Sequence, residues 1–162
     1  MADYQAHDVR LPCSPGDTGL FLEQAADLVK SRGQKLTKIR RRVLELLAEA
    51  KAPSKAYDLL QRLDGKGAAK PPTVYRALDF LQEQGLAHKI ESLNAFVACG
   101  HASHAHSAVF LICDSCGGAE ELHSTGTTAA LREETAAAGF RLGQAVIEAR
   151  GLCRSCAGDR KG

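Results

Sequence analysis

Tryptophan is absent from this chain of 162 residues, methionine occurs once, and Phe and Tyr together make up only 5%. A core with so few rings has to be built from Leu, Val, Ile and Ala. No apolar run approaches the ~20 residues that a membrane span needs. The opening MADYQAHDVRLPCSPGDTG carries acidic groups and no apolar centre, unlike a secretory signal, so a cytoplasmic chain is expected. A nucleophile elbow, a paired acid and base, and a phosphate-cradling glycine loop are also missing. Neither an enzyme nor a small-molecule substrate is therefore expected. What remains, 44% apolar and 25% charged, is the composition of a globular protein large enough for two small domains.

The net charge of +2 is unevenly spread. Residues 20–94 hold fourteen basic and nine acidic groups, whereas residues 95–162 hold six and seven. The middle of the chain is thus the candidate polyanion binder.

Residues 1–17 mix Pro, Gly, Ser and charge without periodicity and read as a flexible tail. Helical spacing then starts, with Leu22, Ala25, Ala26 and Val29 on one stripe and Gly33 as its end. Thr37 suits the N-cap of a second helix with Ile39, Val43, Leu46 and Leu47 inward and Arg40, Arg41 and Arg42 outward. Pro53 and Ser54 suggest the start of a third, with Ala56, Leu59, Leu60 and Leu63 inward. Pro71 and Pro72 lead a fourth, with Val74, Ala77, Leu78 and Leu81 inward and Gly85 closing it. Two strand-like runs, 87–91 and 95–99, flank a Ser-Leu-Asn turn and read as a hairpin. Helices followed by a hairpin make a winged helix-turn-helix, although periodicity alone fits any small α+β domain equally well.

The segment CGHASHAHS, 99–107, resembles a hinge. Beyond it AVFLIC and GGAEELH read as strands, Thr127 to Ala138 as a helix, and FRLGQAVIEARGLC as two strands broken by Gly143. The expected class is α+β: a winged-helix domain over 18–98, the hinge over 99–107, and a small α/β dimerisation domain over 108–162.

Cysteines in a cytosolic chain stay reduced, so paired spacing points to metal. Cys113-Asp-Ser-Cys116 and Cys153-Arg-Ser-Cys156 are two CxxC knuckles separated by thirty-six residues. Four thiolates in a closed shell suit structural Zn²⁺. A redox pair is the other reading of one CxxC, but no thioredoxin-like βαβ surrounds either knuckle. An iron–sulfur cluster usually has different spacing. Further donors gather around the hinge: His88, Cys99, His101, His104, His106, Glu120 and Glu121. A second site there would tie the two halves together and make an ion a switch. Three solvated histidines in a polar segment are the alternative, and composition does not decide between them. Cys13 and His123 suggest no role.

The fourth helix presents Tyr75, Arg76, Asp79 and Gln82 outward. A helix fits the major groove, where Arg76 can grip guanine bidentately and Tyr75 can pack on thymine methyls. Tyr57 can reach phosphate or a base edge, while the Arg40–Arg41–Arg42 run and Lys70 supply phosphate contacts.

The motifs LTKIRRRVLELL, AYDLL, KPPTVYRALDFLQEQGLAHKIESLNAFVAC, FLICDSCG and VIEARGLCRSC resemble the Fur family of metalloregulators, most closely its zinc-sensing branch. The likeness spans roughly residues 20–156. It implies a structural zinc on Cys113, Cys116, Cys153 and Cys156, and a regulatory zinc on His88, Cys99, His106 and Glu121. His101 or His104 is the alternative to His106. Tyr75 and Arg76 match operator-reading positions. The resemblance implies two Zn²⁺ per subunit, and a homodimer that binds palindromic double-stranded operators of zinc-uptake genes when zinc is replete. Ala-Val-Phe-Leu before the first knuckle, and Ala149-Arg150 before the second, replace donors typical of the iron-type members. An iron- or peroxide-responsive relative, or a zinc-ribbon scaffold or redox protein without specific DNA binding, are the competing expectations.

Overall fold

The computed structural model describes residues 17–50, 52–63, 70–99, 107–122, 125–143 and 145–158. Four helices come first. Helix α1 (Thr18–Ser31) starts at Asp17, whose carboxylate accepts from the Leu20 amide at 3.0 Å. Helix α2 (Lys38–Glu49) starts at Thr37, whose hydroxyl faces the Arg40 amide at 3.5 Å. Each side chain takes up an amide that the first helical turn leaves unbonded. Helix α3 spans Ala56–Leu63. Helix α4 (Pro71–Glu83) opens on two prolines, where a missing N–H costs nothing, and ends at Gly85, whose φ of 71° favours a residue without Cβ.

The spacing that predicted these helices also predicted their buried faces. Leu44, Leu46, Leu59, Leu78 and Leu81 are fully enclosed, and Phe21, Leu22, Ala25, Val29, Val43, Val74 and Ala77 complete one core. Burying a leucine removes apolar surface from water at a gain of about 1.5–3 kcal/mol. Helix α3 starts later than Pro53 and Ser54 suggested. Ser54 is instead taken into a β-bridge with Phe96, its amide donating at 2.9 Å and its carbonyl accepting at 2.8 Å.

The hairpin joins β1 (Ala87–Ile90) to β2 (Ala95–Ala98), antiparallel with His88 opposite Val97. Its tip is a 3-10 turn, Glu91–Leu93, followed by Asn94 at φ 46°, a left-handed conformation that Asn tolerates. Alternation gives the hairpin two working faces. Ala87, Phe96 and Ala98 join the helical core, while Ile90 and Val97 join a second cluster with Ala108, Phe110, Ile112 and Ala119. The wing is therefore buried on both sides.

The second cluster lies on a three-stranded sheet ordered β4-β3-β5, made of β3 (Ala108–Cys113), β4 (Ala119–Glu121) and β5 (Val146–Gly151). Strand β4 runs antiparallel to β3, whereas β5 runs parallel to it, with Ala108 opposite Val146 and Cys113 opposite Gly151. Helix α5 (Thr125–Ala137) begins two residues before the expected Thr127, and a short α6 (Arg154–Gly158) follows the sheet. The expected first strand in FRLG does not form, since residues 140–143 carry no regular structure. Strand β5 alone takes the sheet position beside β3.

Every described side chain of α5 is exposed or half-buried, β5 is a mostly exposed edge, and Leu111, Leu122, Phe140, Val146 and Leu152 stand open to solvent. No helix among the described residues is long and apolar enough to cross a membrane.

Sheet and wing are joined by one carboxylate. Glu148 in β5 accepts from the Glu91 amide at 2.6 Å and from the Ser92 amide at 3.1 Å. Burial pushes this carboxyl up, but the hydrogen bonds from Ser92 and Glu91 and the charge of Arg150 outweigh it and leave the pKa below the ordinary glutamate value. A depressed folded-state pKa contributes stability above the unfolded value, and that stability is lost as pH falls through the folded one. Followed by carbon NMR, Glu148 should therefore titrate below ordinary glutamate. A midpoint at or above that value would mean the carboxylate does not receive these amides.

Candidate metal centre and nucleic-acid interface

Two strands in parallel register end at the same edge of a sheet. Because Cys113 lies opposite Gly151, the turn leaving β3 and the turn leaving β5 emerge side by side. The first knuckle is closed by the Gly117 amide donating to the Cys113 carbonyl at 2.9 Å, with Gly117 at φ 69° where a Cβ would be strained. The second is carried by α6, where the Ala157 amide donates to the Cys153 carbonyl at 2.8 Å. Between the knuckles, the Asp114 amide donates to the Gly151 carbonyl at 2.8 Å, and Arg150 pairs with the Asp114 carboxylate at 2.6 Å.

Cys113, Cys116, Cys153 and Cys156 consequently meet, with their sulfurs all within 4.8 Å of one another and Cys116 Sγ 3.9 Å from Cys153 Sγ. Four sulfurs placed ~2.3 Å from a tetrahedral zinc stand about 3.8 Å apart, so the spacing fits that ion. The electrostatics fit as well. The Cys153 amide, 3.3 Å from Cys113 Sγ, together with the Cys116 amide, brings the Cys113 thiol down to about 6. Cys156, hydrogen-bonded to Cys153 and flanked by the other sulfurs, is pushed up to about 12. The Gly118 amide pulls Cys116 down, but Cys113, burial and Cys153 together carry it upward. One thiolate is thus stabilised by backbone dipoles while its neighbours resist a second negative charge. A divalent cation at the centre resolves that conflict. Among the described residues these four form the ready-made donor set.

The second set falls at the junction of wing and sheet. His88, Cys99 and Glu121 are all buried, and His88 and Glu121 are the only buried polar or charged side chains among the described residues. His88 lies opposite Val97, and Cys99 stands two residues further on, its amide donating to the Leu86 carbonyl at 2.9 Å. Alternation therefore puts His88 and Cys99 on the wing face that meets the sheet. Glu121 pairs across the sheet with Phe110, whose ring receives His88 edge-on at 6.0 Å between centroids. Burying a carboxylate is costly unless it is paired or ligates a metal. Glu120, one residue earlier, faces solvent, so alternation separates the two candidate carboxylates. His106 lies outside the described residues, as do His101, His104, His123 and Cys13.

The helical half presents the DNA-facing candidates. Tyr75, Arg76 and Asp79 are exposed on α4, Lys70 stands at its N-cap, and Tyr57 on α3 is 66% exposed. Gln82 is half-buried, with its amide turned back towards the Leu78 carbonyl at 3.5 Å. The arginine run is not uniform. Arg40 lies 3.5 Å over the Phe80 ring and donates to the Lys35 carbonyl at 2.9 Å, whereas Arg42 is paired with Glu45 at 2.6 Å. Arg41 is exposed and has no side-chain partner among the described residues. Sequence reasoning missed Arg40 as a brace between α2 and α4, because its partner Phe80 is forty residues away.

The ferric uptake regulator family matches over residues 31–150. The chain is 43% identical over 138 residues to the zinc uptake regulation protein of Escherichia coli, covering 84% of this chain and 81% of that one. Its structure superposes with a TM-score of 0.81 on a zinc uptake regulator complexed with zinc and DNA, at 40% identity over 91% of this chain and 100% of that one. With XcZur the score is 0.77 for the holo form, at 45% identity, and 0.52 for the apo form, at 47%. Both XcZur comparisons cover 88% of this chain and 99% of the other.

Replacing Cys113 with Ser should lower bound zinc by one ion per chain and loosen the β3–β5 edge. Atomic-emission counting and thermal melts would check this, and an unchanged zinc count would remove Cys113 from the site.

Proposed function

The chain belongs to the ferric uptake regulator family, and on that premise we propose that it is a zinc-responsive transcriptional repressor, acting in the cytoplasm as a homodimer on palindromic operator DNA. The observation that carries this reading is the burial of His88, Cys99 and Glu121 where the DNA-facing half meets the sheet that ends in the cysteine knuckles.

Two zinc ions per subunit follow from this reading, with different duties. Cys113, Cys116, Cys153 and Cys156 hold the structural ion, which locks the free ends of β3 and β5. His88, Cys99, His106 and Glu121 hold the regulatory ion. Bound there, zinc neutralises the buried carboxylate and thiolate and links wing to sheet. A thiolate beside imidazoles favours zinc over iron. His88 and Cys99 come from the wing and Glu121 from the sheet, so the ligands are complete only in one orientation of the two domains, 18–98 and 108–162, about the hinge at 99–107.

The remaining residues read DNA and build the dimer. Arg76 reaches a guanine edge in the major groove and Tyr75 packs against a thymine methyl, while Tyr57, Lys70 and Arg41 hold phosphates and set the register. A second copy covers β5, α5 and the open Leu111, Leu122, Phe140, Val146 and Leu152, because an exposed apolar edge strand is otherwise a liability. Two-fold symmetry then places two α4 helices one helical turn of DNA apart, about 34–36 Å. Moving the orientation from 1:99 to 99:1 requires zinc to prefer the closed form by about 5.5 kcal/mol.

A gel-shift titration under buffered Zn²⁺, Fe²⁺ and Mn²⁺ on one palindromic operator tests the reading. Binding should follow zinc, and restoration by Fe²⁺ alone would make the protein an iron sensor. Arg76→Ala should weaken operator binding by about 1–3 kcal/mol without changing the zinc count. Full affinity in that variant would take Arg76 out of the interface. Cys99→Ser should keep the dimer and the structural zinc but lose the zinc response, and a preserved response would exclude Cys99 as a ligand.

A further inference from the structure

The sheet carries one row of residues that spans all three strands. Phe110 of β3 is registered with Glu121 of β4 on one side and with Glu148 of β5 on the other. Residues directly opposite in a ladder share a face, and this face meets the wing through Ile90, Val97 and Leu93. The wing is therefore held along a line. At one end stands Glu121, in the middle Phe110 under the His88 ring, and at the other end Glu148.

Glu148 grips the wing tip mainly through backbone, with the Ser92 side chain as a further hydrogen-bond partner. Its two oxygens accept from the amides of Glu91 and Ser92, the first residues of the 3-10 turn, at 2.6 and 3.1 Å. Those amides are the ones that a helical turn leaves without an internal partner. The carboxylate of Glu91 is turned to Lys89 at 2.6 Å and stays out of this contact. Arg150, two residues along β5, is engaged by Asp114 in the first knuckle. The clasp thus joins segments more than fifty residues apart and uses no group that the cysteine knuckles or the zinc-ligand candidates need.

We propose that Glu148 is a positioning residue of the regulatory switch, holding the wing tip against the sheet in the arrangement that presents α4 to DNA. The inference rests on the repressor reading above. The arrangement in which the clasp is closed is also the one that superposes better on the holo than on the apo form of the relative. A carboxylate that accepts two amides in one orientation favours that orientation without touching metal or DNA. Removing it lowers the closed population at any zinc level. The regulatory site, whose ligands are complete only in that arrangement, then binds zinc more weakly as well.

The test uses the full-length zinc-loaded dimer with Glu148→Gln, which keeps the shape but replaces one acceptor oxygen with a donor, and with Glu148→Asp, which keeps the charge but shortens the reach. The readouts are operator affinity at saturating buffered zinc, zinc affinity of the weaker site, total zinc and dimer by sedimentation, and NMR exchange of the Glu91 and Ser92 amides. Both variants should exchange these amides faster and lose operator affinity. The weaker zinc site should loosen as well, while the dimer and the structural zinc persist. Faster exchange with unchanged operator affinity would overturn the proposal, as would loss of the dimer or of the structural zinc, since Glu148 would then serve the fold alone. If the parent protein bound its operator equally with and without zinc, the repressor reading would fail by itself. An operator-affinity loss in the Glu148 variants would still support a positioning role, and no loss would refute it.

Discussion

Parallel pairing of β3 with β5 is the constraint on which the C-terminal half depends. Parallel strands cannot be joined by a tight turn, so residues 114–145 have to cross over, and they carry β4 and α5 on the way. That detour is why the two knuckles are far apart in sequence and adjacent in space. A three-stranded sheet whose last strand is largely exposed has little core of its own. A metal staple at its open end supplies what apolar burial does not, as it does in other small domains.

The wing is the other shared part. A hairpin on the surface of a winged helix usually has one wet face, but here both faces are occupied, one by the helices and one by the sheet. The second strand accordingly reads AFVA without polar interruption, while the first, AHKI, carries the buried His88 beside a half-buried Lys89. His88 and Cys99 are the soft donors within that apolar surface. Polar groups buried at a junction between two cores report on whether the cores are docked, because their surroundings change when the junction opens.

Most of the fold was legible because its signals are local. Leu22, Val29, Val43, Leu59 and Leu78 repeat at helical spacing and are buried where that spacing puts them. Thr37, Gly85 and the hairpin followed from capping and turn chemistry. The cysteine site was legible from two spacings, although its closure depends on a register that no local rule supplies. The misses are non-local. Ser54 followed Pro53 as a helix start would, but Phe96 claimed its backbone. The FRLG segment has strand-like residues and no partner strand beside it among the described residues. Glu148 entered only as part of the VIEARGLCRSC likeness, since the backbone amides it holds are partners that a sequence does not advertise. Arg40, read as a phosphate contact, is occupied by Phe80.

Only Gln84, Gly85 and Leu86 separate the end of α4 from the start of β1, and they are firmly held. The Leu86 amide bonds back to the Leu81 carbonyl at 2.8 Å, and Arg32 caps the Gln84 carbonyl at 2.7 Å. This connection has no slack, so wing and α4 tilt as one piece. A helix of thirteen residues is about 20 Å long. Rocking it by about 10° swings its far end by roughly 3.5 Å, close to the ~3.4 Å spacing of successive base pairs. A lever of that length converts a small opening between wing and sheet into a displacement as large as a whole base step at the far end of α4.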